Sequence, residues 1–202
     1  MTTDQAPHQS KAKLLDAALR VVRTKGYIAT TVDDLCHAAG VTKGSFFHHF
    51  ASKEQLAIEA ADHFGAMAHG LFSTAPYTTL PDPRDRLLGY VDFRISIFTD
   101  DLPSSTCLFG TMVQDTYESH PAIRAACDVH LRDHVDHLAE DVRQAKQLYA
   151  PDARWDPHTL AEFTQTVLQG AFVLAKAHNS PTVAHESLMH LRRYIEMLLP
   201  CK

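Results

Sequence analysis

The stretch TVDDLCHAAGVTKGSFFHHFASK, residues 31–53, constrains the fold more than any other part of the chain, because it places two short helices around one tight turn. Thr31 and Asp34 have the spacing of a capping box, in which each side chain bonds a free backbone N–H at the start of a helix. This pattern predicts a helix over residues 32–39. Gly40 can adopt the left-handed backbone conformation that closes a helix, so we expect a sharp turn there.

The second helix of this stretch is predicted to begin after Thr42, whose hydroxyl can cap it. Phe46 and Phe50 recur four residues apart and share one apolar face, while the polar residues between them lie on the other faces. A helix, a glycine turn and a short capped helix together indicate a helix-turn-helix. This arrangement is typical of proteins that place their second helix in a DNA groove.

The run GVTKGSFFHHFASKEQL, residues 40–56, resembles the recognition-helix signature of the tetracycline-repressor (TetR) family, which reads approximately AGVSKGSFYHHFxSKExL. The resemblance continues upstream through residues 11–27 as the first helix of the family. Beyond roughly residue 60 it depends only on length and helical layout. Phe47 departs from the pattern, because family members usually have a Tyr there whose hydroxyl bonds a DNA phosphate. Cys36 stands where a small Ala is usual, which is a mild change because a free Cys behaves as a small hydrophobe.

The DNA-binding residues that this resemblance implies lie on and around the second helix. Ammonium groups and hydroxyls suit phosphate oxygens, whereas sequence specificity requires a side chain that reaches a base edge. A glycine lets the backbone lie close to the duplex. The predicted contact residues are Thr31, Thr42, Lys43, Gly44, Ser45, Phe47, His48 and Lys53. Because one short helix reads only a few base pairs, we expect a homodimer that binds palindromic, double-stranded operator DNA.

Charge is distributed unevenly along the chain. Residues 1–55 carry seven Lys and Arg against five acids, so the remaining residues must carry −7 for the chain to total −5. A weakly basic head on an acidic body suits a protein that docks one end on phosphates. The N-terminus has no apolar secretory core, no run is long enough to span a membrane, and the four cysteines lack metal-type spacing. We therefore expect a cytoplasmic protein with reduced thiols and no membrane partner.

Helical patterns continue to the end of the chain and predict an all-α fold. We expect an N-terminal three-helix helix-turn-helix DNA-binding head over residues 1–55, with residues 1–9 as a flexible arm, and a C-terminal helical ligand-binding and dimerisation domain over residues 56–202. Segments 73–83 and 100–105 are predicted to interrupt the helices. Cap and proline signals predict further helices over about residues 10–25, 53–71, 82–98, 105–117, 121–149, 156–178 and 180–199.

The last two helices are too apolar for the surface of a monomer. In members of the resembled family these helices pair with their symmetry mates in a four-helix bundle, which implies the same role here. Gly170 beside Ala171 would let a partner helix approach closely. The predicted interface residues are Val167, Gly170, Ala171, Leu174, Leu188, Leu191 and Ile195.

Large apolar side chains on the middle helices stand where family members usually form a cavity. Most such residues fill a core, but a small-molecule site with apolar walls and few polar groups is the expectation that the resemblance adds. The candidates are Phe93, Ile97, Phe98, Cys107, Met112, Trp155, Phe163 and Phe172. The implied function is a one-component, ligand-responsive transcriptional regulator, usually a repressor, that a small-molecule effector releases from DNA and that needs no cofactor.

Two roles remain open for Cys107. Some members of the family place a reactive Cys at the start of this body helix and sense electrophiles or oxidants with it. A helix N-terminus favours the thiolate, but this stretch has no adjacent Lys or Arg to lower the pKa of the thiol further. A structural Cys is therefore the preferred interpretation, and a redox or electrophile sensor of the same fold is the alternative.

Metal binding and catalysis are the remaining hypotheses. His130, His134 and His137 have a spacing that can place imidazoles on one metal, but an apolar stripe one residue later is the buried one. We therefore expect these histidines at the solvated edge of the core and no metal site. An all-helical enzyme is the least favoured class, because no phosphate loop, GxSxG elbow or HExxH motif is present.

Overall fold

The computed structural model describes residues 5–201 of the chain, with side chains from Gln9 onward. The described residues form ten α-helices and one short 3-10 helix and contain no β-strand, which confirms the all-α prediction. No helix among them is long and apolar enough to cross a bilayer. The helices are α1 (Gln5–Lys25), α2 (Val32–Ala39), α3 (Lys43–His49), α4 (Lys53–Ser73), the 3-10 helix (Pro76–Thr79), α5 (Pro83–Ser96), α6 (Leu102–Ser105), α7 (Leu108–Thr116), α8 (Pro121–Tyr149), α9 (Pro157–His178) and α10 (Thr182–Leu198).

Two compact units divide the chain. The first consists of Met1–Ala68 with Cys107–His130, and the second consists of His69–Thr106 with Leu131–Lys202. Helices α4 and α8 therefore contribute residues to both units. The predicted boundary after residue 55 separates a DNA-binding head from a ligand-binding and dimerisation domain. It concerns function and not compactness, and it stays a prediction.

Acidic caps followed by proline set two helix starts in the second unit, as predicted. Asp82 caps α5 ahead of Pro83, and Asp156 caps α9 ahead of Pro157, each by accepting hydrogen bonds from backbone N–H groups. Proline suits the first helical position because its missing N–H would have no partner there.

Helix α1 begins earlier than predicted. The flexible arm was expected over residues 1–9, but the backbone is helical from Gln5, and residues 1–4 lie outside the described part. Pro7 falls in the first turn, where a missing N–H breaks no helical hydrogen bond.

The segments predicted to be irregular contain short helical turns. Segment 73–83 contains the 3-10 helix, and segment 100–105 contains α6. Each of these turns has a proline at its start, where the fixed φ angle of proline favours helical geometry. The next helix, α7, consequently starts at Leu108 rather than at about Ser105.

The core of the head is formed by α1, α2 and α3, which pack against one another. Leu14 of α1, Leu35 of α2 and Phe46 of α3 are each 0% exposed. Truncating a buried Phe typically costs about 3–5 kcal/mol, so Phe46 contributes a large share of the stability of a small domain. Because α3 has seven residues, it is too short to be stable alone and depends on this packing.

The second unit is organised around α10, which packs against both α5 and α9. Val91 of α5, Leu168 of α9 and Leu188 of α10 are each 0% exposed. Burial of such residues typically contributes about 2–5 kcal/mol each, so apolar packing holds these three helices together.

Candidate functional site

The start of α2 is fixed by the capping box that the sequence predicts. The Thr31 hydroxyl accepts from the N–H of Asp34 at 3.1 Å, and the Asp34 carboxylate accepts from the N–H of Thr31 at 2.7 Å. Lys25 at the end of α1 donates to the same carboxylate at 2.6 Å. The hydrogen bonds from Lys25 and Thr31 hold the pKa of Asp34 well below its ordinary value, so this cap is charged at neutral pH.

The turn between α2 and α3 depends on Gly40. Its φ and ψ angles of 65° and 38° lie in the left-handed region, and its N–H donates to the carbonyl of His37. The N–H of Val41 donates to the carbonyl of Cys36 at 3.0 Å, which completes the closure of α2. A residue with a Cβ atom would be strained at this φ angle.

Helix α3 has one buried face and one exposed face. The hydroxyl of Thr42 accepts from the N–H of Ser45 at 3.2 Å and caps the helix. Phe46 and Phe50 are 0% and 1% exposed, and their ring centroids lie 5.7 Å apart. On the opposite side Phe47 is 57% exposed, although it is large and apolar. The predicted contact residues Thr31, Thr42, Lys43, Gly44 and His48 are also exposed, and Ser45 is half-buried.

The two predicted phosphate-binding lysines differ in their surroundings. The ammonium group of Lys43 is exposed and lies 2.8 Å from a carboxylate oxygen of Asp33, which raises the pKa of Lys43. Lys53 is half-buried, and its ammonium group donates to the carbonyls of Tyr27 at 3.0 Å and Thr30 at 2.8 Å. The same group lies 4.2 Å from the centroid of the Tyr27 ring. Lys53 therefore ties the start of α4 to the α1–α2 connection.

Three predicted pocket residues come together in the second unit around Arg94. The rings of Phe98 and Phe172 stack at 5.6 Å with an interplanar angle of 5°, and Phe93 lies 5.9 Å from Phe72. The guanidinium carbon of Arg94 lies 4.9 Å from the ring centroid of Phe72 and 5.5 Å from that of Phe172. Arg94 was not predicted as a pocket residue, because its spacing shows that it shares a helix face with apolar residues but not what that face contacts.

No contact among the described residues places the other predicted pocket residues in this cluster. Ile97 is half-buried at the end of α5, and Trp155 is half-buried beside Lys146, whose ammonium group lies 5.3 Å from its ring. Phe163 is 44% exposed and packs against Tyr194. Met112 and Cys107 belong to the first unit, where Met112 is 0% exposed and Cys107 is half-buried at the cap position of α7. The choice between a structural and a reactive Cys107 stays a prediction.

Two glutamines of α9 were missed by the sequence analysis. Within the described residues, Oε1 of Gln165 and Nε2 of Gln169 are buried and have no hydrogen-bond partner. Buried amide groups are nearly always hydrogen-bonded, so each such atom requires an explanation. A signal was present in the sequence, since these two amides recur four residues apart on the side of α9 that carries Phe172.

The three histidines of α8 do not converge. His130 lies 3.0 Å from Asp62, His134 lies 2.8 Å from the Tyr90 hydroxyl, and His137 lies 3.4 Å from Asp133. His134 is half-buried, with the Tyr90 hydroxyl 2.8 Å from its Nε2 and the Phe72 ring beside it, so it is more enclosed than the expectation of a solvated edge implied. Burial lowers the pKa of His134 to about 3, so it is neutral at pH 7.

A different group of possible metal ligands lies on the surface of the second unit. One ligand atom each of His69, Asp133 and His137 lies within 4.8 Å of the others, and all three residues are exposed. The absence of a metal site stays a prediction.

The predicted interface residues of α9 and α10 fall into two sets. Ala171, Leu188, Leu191 and Ile195 are at most 3% exposed and pack inside the chain. Val167 is half-buried, whereas Gly170 and Leu174 are exposed. The two helices also expose apolar residues that the sequence analysis did not include, namely Phe163, Val173, Met189, Tyr194 and Met197.

Two capped helices joined by a glycine turn form a helix-turn-helix. The second helix buries its apolar face and exposes the opposite face, as in DNA-binding proteins of this class. The chain matches two family models, "Bacterial regulatory proteins, tetR family" over residues 14–60 and "Tetracyclin repressor-like, C-terminal domain" over residues 83–191. It belongs to the TetR family of transcriptional regulators, as the sequence resemblance predicted.

Relatives match over most of the chain. The HTH-type transcriptional repressor NemR of Escherichia coli strain K12 is 22% identical over 188 residues, which cover 93% of this chain and 94% of NemR. The transcriptional regulator AcuR of Cereibacter sphaeroides is 28% identical over 178 residues, which cover 88% of this chain and 80% of AcuR. The crystal structure of regulatory protein TetR from Rhodobacter sphaeroides is 26% identical, with a TM-score of 0.81 over 91% of this chain and 97% of that one.

Proposed function

We propose that this chain is a cytoplasmic, one-component transcriptional repressor that binds palindromic operator DNA as a homodimer and is released by a small-molecule effector. The observation that carries the proposal is the geometry of α3. Two buried Phe rings fix this helix to the head, while Thr42, Lys43 and Phe47 face outward. A half-exposed Phe on so short a helix suits apolar contact with a thymine methyl group or a sugar.

Lys43 is proposed to bind a phosphate, and Lys53 is proposed to have a structural role. An exposed ammonium paired with a single exposed carboxylate, as in Lys43 and Asp33, can exchange that partner for a phosphate because surface ion pairs are weak. The ammonium of Lys53 already donates to two carbonyls and faces an aromatic ring. We therefore remove Lys53 from the predicted DNA-contact residues and keep the others.

The homodimer is proposed to form through the exposed apolar residues of α9 and α10. Phe163 and Tyr194 contact each other across the two helices, and both remain at least 40% exposed. A Cβ atom at Gly170 would meet nothing within 4 Å inside the chain, so this position can accept a partner helix. Two heads held in this way would read half-sites about 34 Å apart or a multiple of that distance.

Release from DNA requires that the effector bind two conformations of the protein with different affinities. An effector can shift the equilibrium only if it binds more tightly to the conformation whose two recognition helices are wrongly spaced for the operator. The aromatic cluster around Arg94 is the proposed effector site, because it combines apolar walls with a small number of polar groups.

Selection from a random duplex library with the purified protein tests the proposal, followed by titration of the enriched duplex. The double variant Thr42→Ala with Lys43→Ala should remain folded and lose most of its DNA affinity. Arg154→Ala removes one exposed charge from the α8–α9 connection and should bind DNA like the parent protein. If the parent protein enriches no duplex at low salt, the proposed function is wrong.

A further inference from the structure

We propose that the effector of this protein is an amphipathic carboxylate, whose anionic group pairs with Arg94 and whose apolar part lies against Phe98 and Phe172. The side-chain amide of Gln169 is proposed to donate a hydrogen bond from Nε2 to the same carboxylate. This inference depends on the proposed function, because it names the chemical class of the effector that releases the protein from DNA.

Arg94 lacks an anionic partner within the part of the chain that the structure describes. It is half-buried on α5, and its guanidinium faces the rings of Phe72, Tyr90 and Phe172 at 4.9, 6.0 and 5.5 Å. Contacts with ring faces stabilise the cation but leave its N–H donors unused, since a guanidinium carries five of them. The nitrogens of Arg94 are not among the fully buried unpaired atoms of the described residues, so they are open to a ligand, and a planar carboxylate is the group whose geometry a guanidinium fork matches best.

The other arginines of α5 are different. Arg84 donates to the carbonyl of Leu199 at 2.6 Å, and Arg86 donates to the carboxylate of Asp141 at 2.8 Å. Both therefore have partners in the folded chain that explain their positions. Arg94, on the same helix, is the arginine whose donors are directed at aromatic surfaces instead.

The unpaired amides of α9 lie on the same side of that helix as Phe172. Gln165 and Gln169 are four residues apart, and Phe172 follows three residues later, so the three side chains share one side of the helix. The Phe172 ring is the one that stacks on Phe98 and approaches Arg94. Arg94, the unpaired amide donor of Gln169 and the Phe172 ring thus supply a cation, a hydrogen-bond donor and an apolar surface, and a ligand with an anionic head and an apolar body matches these three groups.

The charge of the cluster favours a monoanion over a phosphate. Among the described residues, Arg94 is the Lys or Arg side chain whose contacts place it on this cluster, and His134, which lies against Tyr90 and Phe72, is neutral at pH 7. A second imidazole, that of His185, lies against the Phe98 ring, and its Nε2 is 3.0 Å from the carbonyl oxygen of Phe98. Tyr77, whose ring lies against those of Tyr90 and Phe93, is neutral as well, because burial raises its pKa above the ordinary value. One guanidinium balances one carboxylate, whereas phosphate sites generally combine several donors or cations.

Matched pairs of neutral and charged ligands test the proposal. The probes are propionate, octanoate, benzoate and phenylacetate, each compared with its primary amide, and the measurements are the thermal unfolding midpoint and the dissociation constant by calorimetry. At least one carboxylate should bind at least tenfold more tightly than its amide, because the amide has the same shape without the charge. If no carboxylate in the series is preferred, the proposal is overturned.

Substitutions then locate the binding group. Arg94→Gln should abolish the preference for the carboxylate, Arg94→Lys should retain part of it, and Arg154→Gln should leave it unchanged. A preference that survives in Arg94→Gln would overturn the proposal, even if this variant is less stable. Should Arg94→Gln fail to fold, Gln169→Leu provides the test, since it should raise the unfolding midpoint of the free protein and weaken the carboxylate complex.

DNA binding separates this proposal from the proposed function. The operator affinity of the parent protein and of Arg94→Gln is first measured without any probe, and release by each carboxylate is expressed relative to that value. A preferred carboxylate should release the parent protein from operator DNA and should fail to release Arg94→Gln. Operator binding that no carboxylate weakens would leave the repressor assignment intact and overturn the effector class.

Discussion

Gly65 of α4 and His130 of α8 pack so closely that a Cβ atom at position 65 would lie 2.4 Å from Nδ1 of the imidazole. The imidazole is held in place by Asp62, 3.0 Å from its Nε2, and by the Phe109 ring, which stacks on it at 5.2 Å. Three helices of the first unit, α4, α7 and α8, therefore meet at a point where only glycine fits.

Gly65→Ala should destabilise the protein by about 1–3 kcal/mol, because the new methyl group must displace His130 from Asp62 and Phe109. Gly70→Ala is the matched control on the same helix, since a Cβ atom there meets nothing within 4 Å. That control should stabilise the protein by up to about 1 kcal/mol through helix propensity. Urea unfolding measures both changes, and equal effects of the two substitutions would contradict the packing described for Gly65.

Gly40→Ala and Gly44→Ala should separate folding from DNA binding. Gly40 has a φ angle of 65°, so a Cβ atom there should cost about 1–2 kcal/mol of stability. A Cβ atom at Gly44 would meet Thr42 at an ordinary 3.7 Å, so Gly44→Ala should fold normally. If the backbone at Gly44 approaches the duplex, this substitution should nevertheless reduce operator affinity at least tenfold in a titration. Unchanged affinity would remove Gly44 from the contact set.

Lys53→Met should reduce the free energy of unfolding by about 2 kcal/mol, because it removes two charge-assisted hydrogen bonds to the carbonyls of Tyr27 and Thr30. Lys43→Met should change stability little but should reduce the slope of log affinity against log salt by about 1, as expected for one lost phosphate contact. Chemical denaturation and DNA titration at several salt concentrations distinguish the two lysines. If Lys53→Met instead reduces the slope of log affinity against log salt and leaves the free energy of unfolding unchanged, Lys53 binds phosphate and the structural role is wrong.

Leu174→Glu should produce a folded monomer at micromolar concentration, since it places a charge on the apolar surface of α9 that is 45% exposed in the single chain. The control is Leu148→Glu on α8, where the side chain is 53% exposed, and it should remain dimeric. Light scattering coupled to size-exclusion chromatography gives the mass of each. A dimeric Leu174→Glu protein would place the interface elsewhere.

His134 should make the protein less stable in acid. Burial lowers its pKa to about 3, and Arg94 and His137 add to the effect, whereas the unfolded chain takes up the proton near pH 6.5. Because the unfolded state binds more protons between these values, the free energy of unfolding should fall as the pH drops from about 6.5 toward 3. His134→Gln does not titrate and should show a shallower decline between pH 7 and pH 5. The exposed His178→Gln should follow the parent protein, and identical slopes for all three would contradict the burial of His134.

Local chemistry explains which parts of the fold could be predicted. The caps at Thr31, Thr42 and Asp156 and the turn at Gly40 are formed by residues within a few positions of one another, so their spacing in the sequence contains the whole interaction. For the same reason the two anchoring rings of α3 and the start of α9 were predicted correctly.

Contacts between distant segments explain what could not be predicted. Lys53 reaches the carbonyl of Tyr27, 26 residues earlier, and His134 is covered by Tyr90 from another helix. The broad apolar surface of α10 predicted contacts both with the rest of the chain and with a second copy. It did not show which residues make which contact, and Leu188 faces the interior of the chain. Arg94 joins the aromatic cluster only because the packing of the second unit brings Phe172 to it.

The division of labour on α3 has an evolutionary consequence. Phe46 and Phe50 anchor one side of the helix in the core. The outward residues Lys43, Phe47 and His48 are exposed and contribute little to core packing. Paralogues could therefore diverge in operator preference by mutating these three codons while the scaffold stays constant. The same freedom makes these positions the natural choice for a library aimed at redirecting this regulator to new promoters.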